Sequence, residues 1–198
     1  MEKKILPTGV DAYRTLYACP LFFGMDEASV TNNLERMGAE TRRREEGGVF
    51  VEIGDRLENV WIVLSGAVEV EEVDWWGNRN LLARIGPGGI FGEAFAFAGV
   101  EKAPVRVVAV EKTEALSIRV GEFVKAGAFQ PVLIANMLRL LAGKNVAFVS
   151  KIGHITKRRT RDKLLSYLSA EAARTGKPAR CSLNVRPPHP AREQAVGQ

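Results

Sequence analysis

Between about Gly38 and Ile118 the chain is a succession of short apolar runs, VFVEI, VWIVL, AVEVEEV, NLLARI, VRVVAV and ALSI. Turns bearing glycine separate them, at Gly47-Gly48, Gly54-Asp55, Ser65-Gly66, Gly77-Asn78 and Pro87-Gly88-Gly89. Many short strands with this punctuation form a barrel or jelly roll, not a parallel sheet. The expected fold class is therefore α+β: an antiparallel β-roll of the double-stranded β-helix or jelly-roll type, with flanking helices and one long helix.

The flanks read differently. Asp26 can N-cap a short helix whose apolar face is Val30, Leu34 and Met37. After Gly121 the period changes, Pro131 suits the first turn of a helix, and an amphipathic segment runs to about Ile155. Residues 1–37 are thus an N-terminal helical segment, 38–121 the roll and 122–155 a long helix. Thr160 can cap another helix to about Arg174, and the proline-bearing stretch from about residue 176 has no periodicity.

In the long helix Ile134, Leu138, Leu141, Asn145, Phe148, Ile152 and Ile155 step by alternating fours and threes, a heptad ladder with one polar member. A single Asn at a core position fixes register between two parallel helices. A second stripe, Leu133, Met137, Leu140 and Ala147, can pack on the roll and leave the ladder free for a second copy. The alternative is a helix that only packs on its own roll.

Charge is uneven. Residues 1–150 carry 17 Lys and Arg against 20 Asp and Glu, and residues 151–198 carry 11 against 3. A basic end with Lys157, Arg158, Arg159, Arg161 and Lys163 suits a phosphate-backbone partner, or is simply a solvated end. Cys19 and Cys181 are too few for a disulfide framework, which points to a reducing cytoplasm. The N-terminus lacks the apolar core of a secretory signal, and no apolar run is expected to reach membrane-span length. Cys19 is expected to be a small core residue.

The stretch Leu81 to Leu116 carries a glycine-rich turn, the pair Gly92-Glu93, a capped apolar run and an alternating strand. Such a segment can wrap main-chain N–H groups and a carboxylate around a small phosphorylated ligand. Taken in order, IVLSGAVEV, the DWWGNRN hairpin, IGPGGIFGEAFAFAG and LRLLAGKN resemble the Crp/Fnr family of bacterial transcription regulators, and a Firmicutes-type branch of it. The likeness covers roughly residues 15 to 175. It implies a cyclic nucleotide-binding-like roll that senses an effector around Gly92, Glu93 and Ala94, a long helix that dimerises, and a C-terminal winged helix-turn-helix that binds DNA.

Two departures qualify that expectation. Cyclic-AMP-binding members carry an Arg-Ser pair ten residues after the Glu, and here that count lands on Ala103 and Pro104. Neither offers a charge or a side-chain donor, and Pro104 has no N–H. Lys102 is adjacent, and Arg106, three residues along a strand from Ala103, belongs to the opposite face. Phe148 and Val149 stand where such members present hydroxyls to the base. Cyclic AMP is therefore not expected to bind, no cofactor is implied, and a less polar, unidentified effector is left open. Glu93 is then expected to cap the N–H groups of its own turn.

The second departure is at the C-terminus, where Thr156 to Gln198 is 43 residues, against about 60–70 for a winged helix-turn-helix. Residues 156–198 read as a remnant of a DNA-binding domain, whether frameshifted, truncated or a shortened form, with weak DNA contact expected. The two readings are a Crp/Fnr-type regulator with an incomplete DNA-binding part, or a dimeric sensor module that binds no DNA. An enzyme has no residues behind it. His154 and His189 both lie outside the roll, so neither a cupin-type metal site nor any other is expected, and no Ser-His-Asp order, Walker loop or GxGxxG is present.

Overall fold

A computed structural model describes Pro7 and residues 10–74, 76–155, 164–165, 167–170 and 172. The chain divides into two compact units, Met1–Asn145 and Val146–Gln198. The basic cluster Lys157, Arg158, Arg159, Arg161 and Lys163, Trp75 of the DWWGNRN hairpin and the tail from residue 176 lie outside the described residues.

The first unit opens with helix α1 (Val10–Ala18), a 3-10 turn (Pro20–Phe22) and α2 (Glu27–Arg36). Asp26 caps α2 as expected, its carboxylate accepting from the Ser29 N–H at 2.8 Å and the Ser29 hydroxyl at 2.9 Å. These bonds lower the Asp26 pKa. The expected face of that helix, Val30, Leu34 and Met37, is buried.

Among the described residues eight strands follow: β1 (Glu40–Arg44), β2 (Val49–Val51), β3 (Asn59–Ser65), β4 (Val68–Val73), β5 (Arg79–Ile85), β6 (Ile90–Phe91), β7 (Arg106–Ala109) and β8 (Thr113–Arg119). They form two antiparallel four-stranded sheets, ordered β1-β8-β3-β6 and β2-β7-β4-β5. The six runs expected as strands are all there. Two more, β1 and β6, are not among them: β6 is the short apolar pair Ile90–Phe91, and β1 is not apolar at all. The sequence ETRRR is a strand because it pairs along β8, Glu40 opposite Ser117 through Arg44 opposite Thr113. The segment 38–118 is also not all strand, since a short helix α3 (Glu93–Phe97) follows β6.

Alternation along β3 explains the layering. Val60, Ile62 and Leu64 join a core made with Leu16, Leu21, Phe22, Leu34, Phe123, Leu133 and Met137 from the helices. Trp61 and Val63 join a second core with Phe50, Val68, Phe91, Val107 and Ala109. With a side-chain period of two, a strand that is apolar at every position must be covered on both faces. One sheet is thus sandwiched between the helices and the other sheet. Strand β5 is by contrast exposed almost throughout, and Trp76 beside it is 84% exposed.

Two helices follow the roll, α4 (Val120–Phe129) and α5 (Pro131–Ile155). The long segment from 122 is therefore broken at Gln130, whose φ of −130° and ψ of 77° are not helical. A residue before proline is pushed out of the helical region. Within α5 the segment Pro131–Ser150 is long and apolar enough to cross a membrane by length and composition, with mean hydropathy 1.5. The expectation that no run reaches that length is corrected. The hydropathy comes partly from a core-facing stripe, since Leu133 and Met137 are buried in the first core.

Two buried groups tie the helical layer down. Asn136 donates from Nδ2 to the carbonyls of Leu21, at 3.0 Å, and Phe23, at 2.8 Å. Its Oδ1 accepts from Arg139 at 3.0 Å. Cys19 is a core residue, as expected, and burial pushes its thiol up to about 11. Replacing Asn136 by Ala strands the Leu21 carbonyl where water does not readily reach it. A loss of about 1–3 kcal/mol is expected, read as a lower urea midpoint, and an unchanged midpoint would show that these bonds are dispensable.

Candidate functional site

The site is built on β3. The Val63 N–H donates to the Gly89 carbonyl at 2.9 Å and the Gly88 N–H to the Val63 carbonyl at 2.8 Å, so the Pro87-Gly88-Gly89 turn is stitched to the strand. Strand β6 then pairs Phe91 with Trp61 and Ile90 with Ile62. Gly92 follows with φ of 80°, a left-handed conformation that favours glycine. A Cβ there would lie 2.9 Å from the Asn59 carbonyl oxygen. The chain turns there directly into α3, and Glu93 is its first residue.

Glu93 is only 4% exposed and is the only buried charged residue among those described. Its carboxylate takes the ammonium of Lys144 at 2.7 Å. Lys144 Nζ also donates to the Ile90 carbonyl at 2.6 Å. The expected role for Glu93, capping the N–H groups of its turn, is thereby corrected: its partner is a full positive charge from α5. A charge-assisted bond is roughly twice as strong as a neutral one, and burial of a lone carboxylate demands such compensation.

The remaining expected residues are distributed around this pair. Ala94 is exposed on α3. Ala103 is buried in the second core with Phe91 and Phe95. Its N–H is spent on the Asp55 carbonyl at 2.8 Å, and its carbonyl accepts from Gly54 at 2.9 Å. Lys102 and Pro104 are exposed, and Lys102 forms an isolated β-bridge with Arg56. Arg106 belongs to the outer face of β7, as the strand period requires, paired with Glu52 at 3.1 Å and Glu71 at 3.6 Å. Phe148 and Val149 fall in the second unit, 63% and 64% exposed.

Around Ala103 the interior is aromatic. Trp61 and Phe91 stack at 5.8 Å with their planes 2° apart, and Phe50 meets both edge-on. Nothing at that position supplies a charge to an anion.

The family model of the cyclic nucleotide-binding domain matches residues 41–127. The roll has the cyclic nucleotide-binding-domain fold. Among solved structures the chain is similar to the catabolite activator protein of Thermus thermophilus, 25% identical over 79% of this chain and 72% of that one, with a TM-score of 0.61. A transcriptional regulator of Thermotoga maritima is 24% identical over 67% of this chain and 98% of that one, TM-score 0.57. A cyclic nucleotide-binding domain from Methylobacillus flagellatus is 17% identical, covers 75% of this chain and 86% of its own, and has a TM-score of 0.63. No curated protein is close enough in sequence to match.

Within this fold, Lys144 is the residue that sequence reasoning passed over, although a signal for it exists. Leu133, Met137, Leu140 and Lys144 step by four, three and four along the helix, whereas Ala147, expected in the same stripe, is exposed. A cation in a core-facing stripe needs a buried anion opposite it.

The pair should respond asymmetrically to substitution. Lys144→Met leaves a carboxylate buried without a partner, expected to cost about 2–3 kcal/mol, below the usual range for a fully buried pair because Lys144 is half exposed. Glu93→Gln leaves an ammonium that can turn to water, and should cost less. Urea denaturation of both variants reads the difference. Equal costs, or a larger one for Glu93→Gln, would contradict the assignment of Glu93 as the constrained partner.

Proposed function

We propose that this chain is the effector-sensing and dimerising part of a Crp/Fnr-type transcription regulator, with cyclic AMP not its effector. The observation that carries the dimer is the state of α5. Its core-facing side is used by the roll through Leu133, Asn136 and Met137, all buried. On the ladder, Ile134 and Leu141 are half buried against the first core. Leu138, Phe148 and Ile152 are 62%, 63% and 46% exposed, and Asn145 is exposed. Apolar side chains recurring at heptad spacing on a helix are covered by packing against a second such helix. The seam of the proposed homodimer therefore begins at Leu138 and continues through Asn145, Phe148 and Ile152, while the side chain of Ile155, the next member of the ladder, lies outside those described.

Support for a regulator comes from the fold and from its neighbours, several of which are transcriptional regulators by name. Against cyclic AMP stands Ala103, apolar, buried and with its N–H already used. The basic residues Lys157, Arg158, Arg159, Arg161 and Lys163 supply the phosphate contacts, which are independent of base sequence.

Sedimentation equilibrium should give a dimer at tens of micromolar, and Asn145→Leu should retain association while loosening its stoichiometry, since a lone Asn restricts oligomer state. A monomer at that concentration would overturn the dimer. In gel-shift titration the protein should bind duplex DNA weakly and lose it by about 150 mM salt. Sequence-selective binding at that salt would overturn the non-specific contact.

A further inference from the structure

We propose that Lys144 is a built-in partner of the Gly92-Glu93 turn, so that α5 is fastened to the roll without any diffusible ligand. The inference rests on the reading of the Gly92-Glu93 turn as the place where sensors of this fold take their effector.

Three observations carry it. The ammonium is held by two acceptors on one short stretch, the Ile90 carbonyl at 2.6 Å and the Glu93 carboxylate at 2.7 Å. That carboxylate is the only buried charge among the described residues, and the ammonium of Lys144 satisfies it. Lys144 is the penultimate residue of the first compact unit, which ends at Asn145. The pair therefore fastens α5 to the β6–α3 turn at the last point where that unit holds the helix. Residues Leu133, Asn136 and Met137 hold the helix nearer its start.

A tethered group competes at an effective concentration in the millimolar range. An incoming molecule would have to supply donors to Glu93 and Ile90 and leave the displaced ammonium solvated. An anion supplies no cation to that carboxylate, and Ala103 and Pro104 supply no cation to an anion. The contact a ligand would bring between the turn and the helix is thus supplied by the chain itself.

Hydrogen exchange by mass spectrometry on the full chain tests this, with cyclic AMP at about 1 mM as the probe. In the unmodified protein, protection of residues 90–97 and 138–145 should be the same with and without the nucleotide. In Lys144→Met, exchange over both segments should rise about tenfold while residues 131–137 change less than about twofold. Lys144→Arg, which keeps a cation, should recover much of the protection. If Lys144→Met does not fold, the double variant Lys144→Met/Glu93→Gln, freed of the buried charge, should show the same local opening. Unchanged exchange at 90–97 and 138–145 in the folded variant would overturn the proposal. So would protection of those segments in the unmodified protein that appears only with the nucleotide. Loss of the dimer would instead raise exchange along the seam from residue 138 to 155 and leave residues 90–97 unchanged, so failure of the dimer reading is told apart from failure of the fastening.

Discussion

Strand β3 has to be dry on both faces, and the rest of the described fold follows from meeting that demand. Val60, Ile62 and Leu64 need the helical layer, and Trp61 and Val63 need the second sheet. Burying each such side chain is worth about 1.5–3 kcal/mol, far more than any single surface ion pair in the roll contributes. The same strand fixes the functional turn, because Val63 bonds to Gly88 and Gly89 and Trp61 stacks on Phe91. Gly92 and Glu93 are consequently placed by the core and not by the loop that bears them.

On that frame the chemistry is one-sided. Glu93 is acidic and buried, whereas Ala103 is packed among Phe91, Phe95 and Val107 with both main-chain groups engaged. An unpaired carboxylate at 4% exposure is not a stable arrangement. Lys144 resolves it from α5, and in doing so joins the turn to the helix.

Much of the roll was legible in the sequence because its signals are local. Six apolar runs between glycine turns became strands, and Asp26 capped the helix it was expected to cap. The misses were non-local. Nothing in ETRRR announces a strand, since its pairing with β8 comes from a segment some seventy residues away. Asn136 is buried only because the carbonyls of Leu21 and Phe23 arrive beside it. Ile134 and Leu141, members of the heptad ladder by spacing, are half covered by their own roll.

By itself the sequence determined the periodicities: two along the strands, three and four along α5, and a count from Glu93 that lands on Ala103 and Pro104. Those point to the β-roll and put two uncharged residues at the counted positions, because each depends only on residue identity and spacing. Only the tertiary structure decided what Glu93 does instead. A carboxylate's partner is chosen by distance and burial, and Lys144, fifty-one positions away, meets it only once α5 has packed on the sheet that carries the turn.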